Sequence, residues 1–200
     1  MNTRLPIGVL VLAAGAARRY GASKLELPLG GTPILRRAAQ AGLALSEHVV
    51  VVTGAHHELL APLVTDLHVA VVRNPSWQRG KGSSIGHGMR ALQQLAPTCA
   101  AAIVMLADQV FVGEPELRRL IDDHGFAAHG ISAAHYGGIL GAPCCFAQRY
   151  FAELAALDDA DGAQVVLQRH AAEVRAVAMP EAGTDIDTPA DYAAAQRRLR

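Results

Sequence analysis

Apolar positions along this chain follow two rhythms. Unbroken apolar runs of strand length occur at 7–13 ("IGVLVLA"), 48–54 ("HVVVVTG"), 68–74 ("HVAVVRN") and 101–108 ("AAIVMLAD"). Such runs suit strands buried on both faces. Between them lie stretches with helical spacing: 32–46 behind Thr32 and Pro33, a short one at 56–67 limited by Pro62, and 84–96. A further helix is expected over 113–125, where acids in the first turn and basic residues later match the macrodipole. Two strands paired around Gly137 and Gly138 are expected near 130–147. Helices over 149–157 and 162–170, a strand at 173–179 and a terminal helix behind Thr188 and Pro189 complete the chain.

Alternating strands and helices through the first 125 residues predict an α/β fold: a mainly parallel sheet covered on both faces. The hairpin-like stretch breaks the alternation and makes the sheet partly mixed. No linker or repeat interrupts 1–200, which reads as a single domain. In open α/β sheets ligands bind beyond the carboxyl ends of the strands. That rule selects the loops at 13–24, 53–57, 74–84 and 108–113.

The first of these loops carries the chemistry. Gly15 and Gly21 allow a ligand close to the backbone, and Arg18, Arg19 and Lys24 place three cations in seven residues. Inward amides and mobile positive charge are what a polyphosphate requires. The common phosphate loops do not fit. A GxxxxGKS/T loop counted from Gly15 needs its second glycine at Tyr20, and GxGxxG needs one at Ala17. Asp108 ends a buried strand, where an unpaired carboxylate is costly. Beside a polyphosphate it supplies a hard oxygen ligand for Mg²⁺. In "PSWQRGKGSS", Ser83 or Ser84 can cap the next helix while donating to a phosphate or base.

Composition narrows the picture further. Net charge is +0 at pH 7, so nothing draws the whole chain to nucleic acid or an anionic membrane, and anion binding must be local. The 51% hydrophobic content is enough for a sizeable core. Cys99, Cys144 and Cys145 form no CxxC, which argues against disulfide and zinc frameworks and fits reduced, buried thiols in a cytoplasmic protein. The N-terminal apolar run is too short to span a membrane.

"LAAGAARRYGASKLELPLGGTPILRRA" resembles the LAxGxxxRMGxxK signature of the molybdenum cofactor nucleotidyltransferase family. Ala14 and the "LPLGGTP" tail are closest to its cytidylyltransferase branch. The resemblance implies a three-layer Rossmann-like nucleotidyltransferase fold, with nucleotide binding in about 1–110 and the acceptor side in about 111–200. It implies that Leu12, Ala13, Ala14 and Gly15 line the nucleotide, with base and ribose near Thr53 and Asn74. Arg19 and Lys24 become the signature cations, and Asp108 and Asp187 the ligands of Mg²⁺, or alternatively Mn²⁺. "RNPSWQRGKGSSIGHG" and "GTDIDTPADY" resemble further family motifs, and Asp185 is the reserve ligand to Asp187. The implied substrates are CTP and a molybdopterin-type acceptor, with a molybdenum hydroxylase or its chaperone as partner. Tyr20, Val110, Ala142 and Gln164 depart from the family pattern. GTP as donor, a sugar phosphate as acceptor, and a non-catalytic nucleotide- or pterin-binding role are the alternatives.

Overall fold

The computed structural model describes residues 6–17, 19–122, 129–158 and 162–199. Arg18, the end of the helix expected over 113–125, and the middle of 158–164 lie outside the described residues. Strands β1 (Ile7–Ala13), β4 (His48–Thr53), β5 (Ala70–Arg73) and β6 (Ala101–Leu106) fall on the four apolar runs. Strands β7 (Ile131–Tyr136) and β8 (Ile139–Ala147) form the expected hairpin, turning through Gly137 and Gly138 at φ 55° and 78°. Strand β9 (Val174–Ala178) completes a seven-stranded sheet in the order β5-β4-β1-β6-β8-β7-β9. The β5-β4-β1-β6 half is parallel, β8 is antiparallel to both neighbours, and β9 is parallel to β7. The mainly parallel, partly mixed expectation is met.

Successive residues of β1 serve opposite cores. Val9, Val11 and Ala13 join Val49, Val51, Ile103 and Met105 under α1 (Ile34–Leu45), α4 (Glu114–Leu120) and α7 (Pro189–Arg198). Leu10 and Leu12 join Val50, Val52 and Val104 under α3 (Lys81–Leu95), α5 (Phe151–Ala155) and α6 (Gln164–Arg169). With both faces covered, the strand has no polar side to show, which is why its sequence does not alternate. Each fully buried Val or Leu contributes roughly 1.5–3 kcal/mol. All three cysteines are free and buried, and burial pushes the Cys144 thiol up to about 12.

Two helix starts differ from expectation. Thr32 does not cap α1: Thr32–Pro33 forms a short strand, β3, antiparallel to Pro28–Leu29, β2. This small hairpin turns through Gly30 and Gly31, both at positive φ. Helix α3 begins at Lys81 with Gly80 at its N-cap, so Ser83 and Ser84 sit inside the first turn and cap nothing. The 56–67 stretch splits into α2 (His57–Leu60) and a 3-10 turn, Ala61–Val64, that carries Pro62.

Helix α3 approaches the sheet at Gly88, where a Cβ would lie 2.7 Å from Val52 Cγ2 and 3.4 Å from Leu10 Cδ1. Gly88→Val should therefore lower stability by about 1–3 kcal/mol, the scale for overpacking a filled core. Urea unfolding would show it as an earlier midpoint at unchanged slope.

Candidate active site

The register of the parallel strands brings their carboxyl ends level. Ala13 stands beside Thr53, and Leu12 beside Leu106. A cleft of about 480 Å³ opens beyond that edge. Its floor is the loop leaving β1: Leu12, Ala13, Ala14 and Gly15 all line it. A Cβ at Gly15 would meet nothing within 4 Å, so this backbone faces open space. The loop carbonyls are committed to its neighbours. Leu12 O accepts from Ala107 N at 3.1 Å, Ala14 O from Ala55 N at 3.1 Å, and Ala16 O from His56 Nε2 at 3.2 Å. Gly54 permits the close approach beneath: a Cβ there would lie 2.6 Å from Ala14 O and 2.7 Å from Trp77 Cβ. Ala17, where the dinucleotide motif would need glycine, adopts φ 48°. That left-handed conformation costs a non-glycine residue on the order of 1–2 kcal/mol.

Past this turn, Lys24 opens a 3-10 turn (Lys24–Glu26) and points back into the cleft. Its ammonium donates to Asp108 Oδ2 at 2.7 Å and to Asp187 Oδ1 at 3.2 Å. Arg19 Nη2 lies 2.6 Å from the other oxygen of Asp187. The two cations differ in freedom. The Lys24 side chain is 10% exposed, whereas that of Arg19 is 74% exposed and can swing. Main-chain contacts join the acids: Ile186 N donates to Asp108 O at 3.2 Å, and Gln109 and Asp185 form an isolated antiparallel bridge. Asp191 fixes the second acid from behind, its Oδ2 accepting from Asp187 N at 3.1 Å and Thr188 N at 2.7 Å. Thr188 caps α7 in return.

Asp185 also lines the cleft. Burial above all raises its carboxyl from its ordinary value, and the charges of Asp187 and Asp108 add to the effect. Among the described residues no group of three or more His, Cys, Asp or Glu is arranged to hold a metal ion by itself. Asp108 and Asp187 do converge on one cation, the Lys24 ammonium. The pair therefore suits a hard ion that completes its shell with phosphate oxygens and water.

The structure gathers Leu12, Ala13, Ala14, Gly15, Arg19, Lys24, Ser84, Asp108 and Asp187 into this cleft. Thr53, Asn74 and Ser83 are nearly inaccessible and are not among the residues that line the cleft. Asn74 Nδ2 donates to Ser83 Oγ at 2.7 Å and Ser84 Oγ at 3.0 Å, and Asn74 Oδ1 accepts from Ser76 N at 2.9 Å. Thr53 Oγ1 pairs with His57 Nδ1 at 2.7 Å. The Asn74 and Ser83 contacts brace the segment between β5 and α3, which carries Trp77 and Gln78 to the rim beside Lys81 at the start of α3. Sequence reasoning passed over Lys81 and Ser23. Ser23 Oγ lies buried in the wall without a hydrogen-bond partner in the protein. Their only sequence signal is position: one adjoins Lys24, and the other lies between two loop glycines.

A family model described as the MobA-like NTP transferase domain matches residues 9–174. The purine catabolism protein PucB of Bacillus subtilis is 28% identical over 213 residues, covering all of both chains. The crystal structure of Rv0371c from Mycobacterium tuberculosis superposes with a TM-score of 0.79 at 28% identity, covering 98% of this chain and 99% of that one. A structure of Rv0371c in complex with manganese superposes with a TM-score of 0.71 at 26% identity, covering 96% and 98%.

If Asn74 is bracing, Asn74→Ala strands two serine hydroxyls and the Ser76 amide. It should cost about 1–3 kcal/mol, the penalty for leaving buried polar groups unpaired. Chemical denaturation checks this, and a variant as stable as the parent would return Asn74 to the ligand-contact role.

Proposed function

The chain belongs to the MobA-like NTP transferase family, and on that premise we propose that it moves CMP from CTP to the terminal phosphate of a molybdopterin-type cofactor, releasing pyrophosphate. One observation carries this reading: a cation-bearing turn and two aspartates far apart in sequence meet in a single cleft at the ligand edge of the sheet. In this reading the nucleotide lies over Leu12–Gly15, whose open backbone receives it. Ser84, Trp77 and Gln78 stand near enough to border the base. Arg19 and Lys24 take the triphosphate. An oxygen of the acceptor's terminal phosphate forms the new bond to the α-phosphorus. The bond from that phosphorus to the bridging oxygen breaks, and its electron pair leaves on pyrophosphate. Arg19 and Lys24 neutralise the charge that develops on the leaving group. Asp108 and Asp187 would hold Mg²⁺ or Mn²⁺, which when bound offsets phosphate charge and makes the α-phosphorus more electrophilic.

Ala14 supports the cytidylyl over the guanylyl branch. The 137–167 stretch, which resembles the acceptor-side motif, supports the pterin. The name of the PucB relative supports a partner that acts on purines, namely a molybdenum hydroxylase or its chaperone. No helix among the described residues is long and apolar enough to cross a membrane. With the free, buried cysteines, this agrees with a cytoplasmic setting. The second reading is a non-catalytic nucleotide carrier, favoured by Val110, Ala142 and Gln164. Val110 is nonetheless absorbed into the core while Asp108 still faces Lys24.

Pyrophosphate release measured with CTP and GTP, each with a molybdopterin acceptor or a sugar phosphate, tests the proposal. Turnover with CTP and the pterin alone is expected. Tight binding of CTP without release from any acceptor would select the carrier reading. Lys24→Ala and Asp108→Ala should each lower turnover at least ~100-fold, the scale for losing a preorganised electrostatic contact. Near-parental rates would remove those residues from the chemistry.

A further inference from the structure

We infer that Lys24 is the resident counter-cation of the Asp108–Asp187 pair, so that a divalent ion and the nucleotide triphosphate bind together and each draws in the other. The inference rests on the reading above that these two aspartates hold the metal. The ammonium sits between them, 2.7 Å from one carboxylate and 3.2 Å from the other. The flanking chain supports this placement: Lys24 lies in a buried 3-10 turn, with Leu25 packed into the core beside it. A divalent ion entering the same gap would meet a positive charge almost withdrawn from solvent, where screening is weak. The lysine occupies one oxygen of each acid, and its charge opposes a divalent ion in the same gap, so the metal gains those oxygens fully once the lysine moves away.

The triphosphate supplies the exchange. Its oxygens offer Lys24 a new set of acceptors in the same cleft, and the freed carboxylates then face the divalent ion. Arg19 plays a lesser part. It also touches Asp187, but its side chain is largely in solvent and can follow the phosphates at little cost. The exchange thus couples two binding events through one side chain. Thermodynamic linkage requires the coupling to be equal in both directions. Bare metal should bind weakly, nucleotide without metal should bind weakly, and the two together should bind well. The aspartates remain paired with a cation throughout, so the cleft avoids exposing unpaired acids between turnovers.

The test is a titration of Mn²⁺ followed by the electron paramagnetic resonance of the free ion, with no acceptor present. The parent chain should bind bare Mn²⁺ weakly, and CTP should tighten it by ~10-fold or more beyond the chelation that CTP and Mn²⁺ show without protein, within the usual range of coupling between sites. Lys24→Met removes the ammonium but keeps much of the stem. It should bind bare Mn²⁺ ~10-fold more tightly than the parent and lose most of the effect of CTP, whereas Lys24→Arg should stay weak. Because Met leaves Asp108 without its cation and Asp187 with Arg19 alone, thermal unfolding is read in parallel, and Mn²⁺ should raise the midpoint of Lys24→Met more than that of the parent. Unchanged or weaker bare-metal affinity in a folded Lys24→Met overturns the inference. That result leaves the transferase reading standing if the parent still releases pyrophosphate from CTP. Conversely, a parent with no turnover but a tightened Lys24→Met would sink the transferase reading and leave the counter-cation role intact. If adding Asp108→Ala to Lys24→Met does not abolish the tight site, the metal is held elsewhere and the inference falls.

Discussion

The contact on which the site depends is an ammonium held between two carboxylates. Lys24 reaches Asp108 across 84 residues of sequence and Asp187 across 163, joining three segments through one side chain. Such a contact is costly to assemble. The lysine is nearly buried, so its charge has lost most of its hydration, and the two acids are only about a quarter exposed. Breaking one side of a buried pair typically costs about 3–5 kcal/mol, because the remaining charge is left uncompensated. The contact therefore forms only where the backbone already brings the partners together. It adds little net stability once formed, since the gain in attraction is offset by lost solvation. Its value is in fixing where the cleft is and which charges face it.

The backbone solves this problem with sheet order rather than loop length. Placing β1 next to β6 sets the lysine-bearing loop beside the turn after β6 that carries Asp108. The third partner arrives last, on the segment after β9, and is secured by main-chain hydrogen bonds to Asp108 and Gln109. Gln109 then extends the tie, its Nε2 donating to the carbonyls of Ala142 and Ala182 at 2.8 Å each. One glutamine thus links the turn that carries Asp108, the β8 strand and the turn before Asp185. Altered geometry at Val110 would be absorbed by these ties before reaching Asp108, which accounts for a substituted motif with an undisturbed carboxylate.

What the sequence made legible follows from the same physics. The central strands could be read because burial on both faces leaves an unbroken apolar run. Asp108 could be read because an acid at the end of such a run needs a partner. Lys24 is legible as one of a cluster of cations after the first strand, whereas Asp187 rests on the motif, since no local pattern reveals that residues so distant will meet. Thr53 and Asn74 suggest ligand contacts because they stand at strand ends on the ligand edge, and Ser83 because it looks like a helix cap with a free hydroxyl. A polar residue there can face the cleft or face inward to brace the loop, and spacing alone does not distinguish the two. The hydrogen bonds of Asn74 to two serines favour the bracing role. Thr32 and Pro33 look like a helix start for the same reason that they suit a tight hairpin: proline fixes φ near the value that both require.

Charge balance in the cleft leads one step further. Among the described residues that line it, Arg19, Lys24 and Lys81 face Asp108, Asp185 and Asp187, so the groups can neutralise one another without a ligand. The neutrality of the whole chain is repeated locally. A triphosphate entering such a site brings several negative charges and finds cations already engaged with acids. Redistributing those pairs cannot create positive charge; it only moves the deficit onto the aspartates. Burial makes that deficit expensive, just as it raises the Asp185 carboxyl from its ordinary value. Additional positive charge must therefore arrive with the nucleotide. In the proposed reaction the divalent ion fills that need, a requirement that follows from the electrostatics of these side chains as much as from the chemistry at phosphorus.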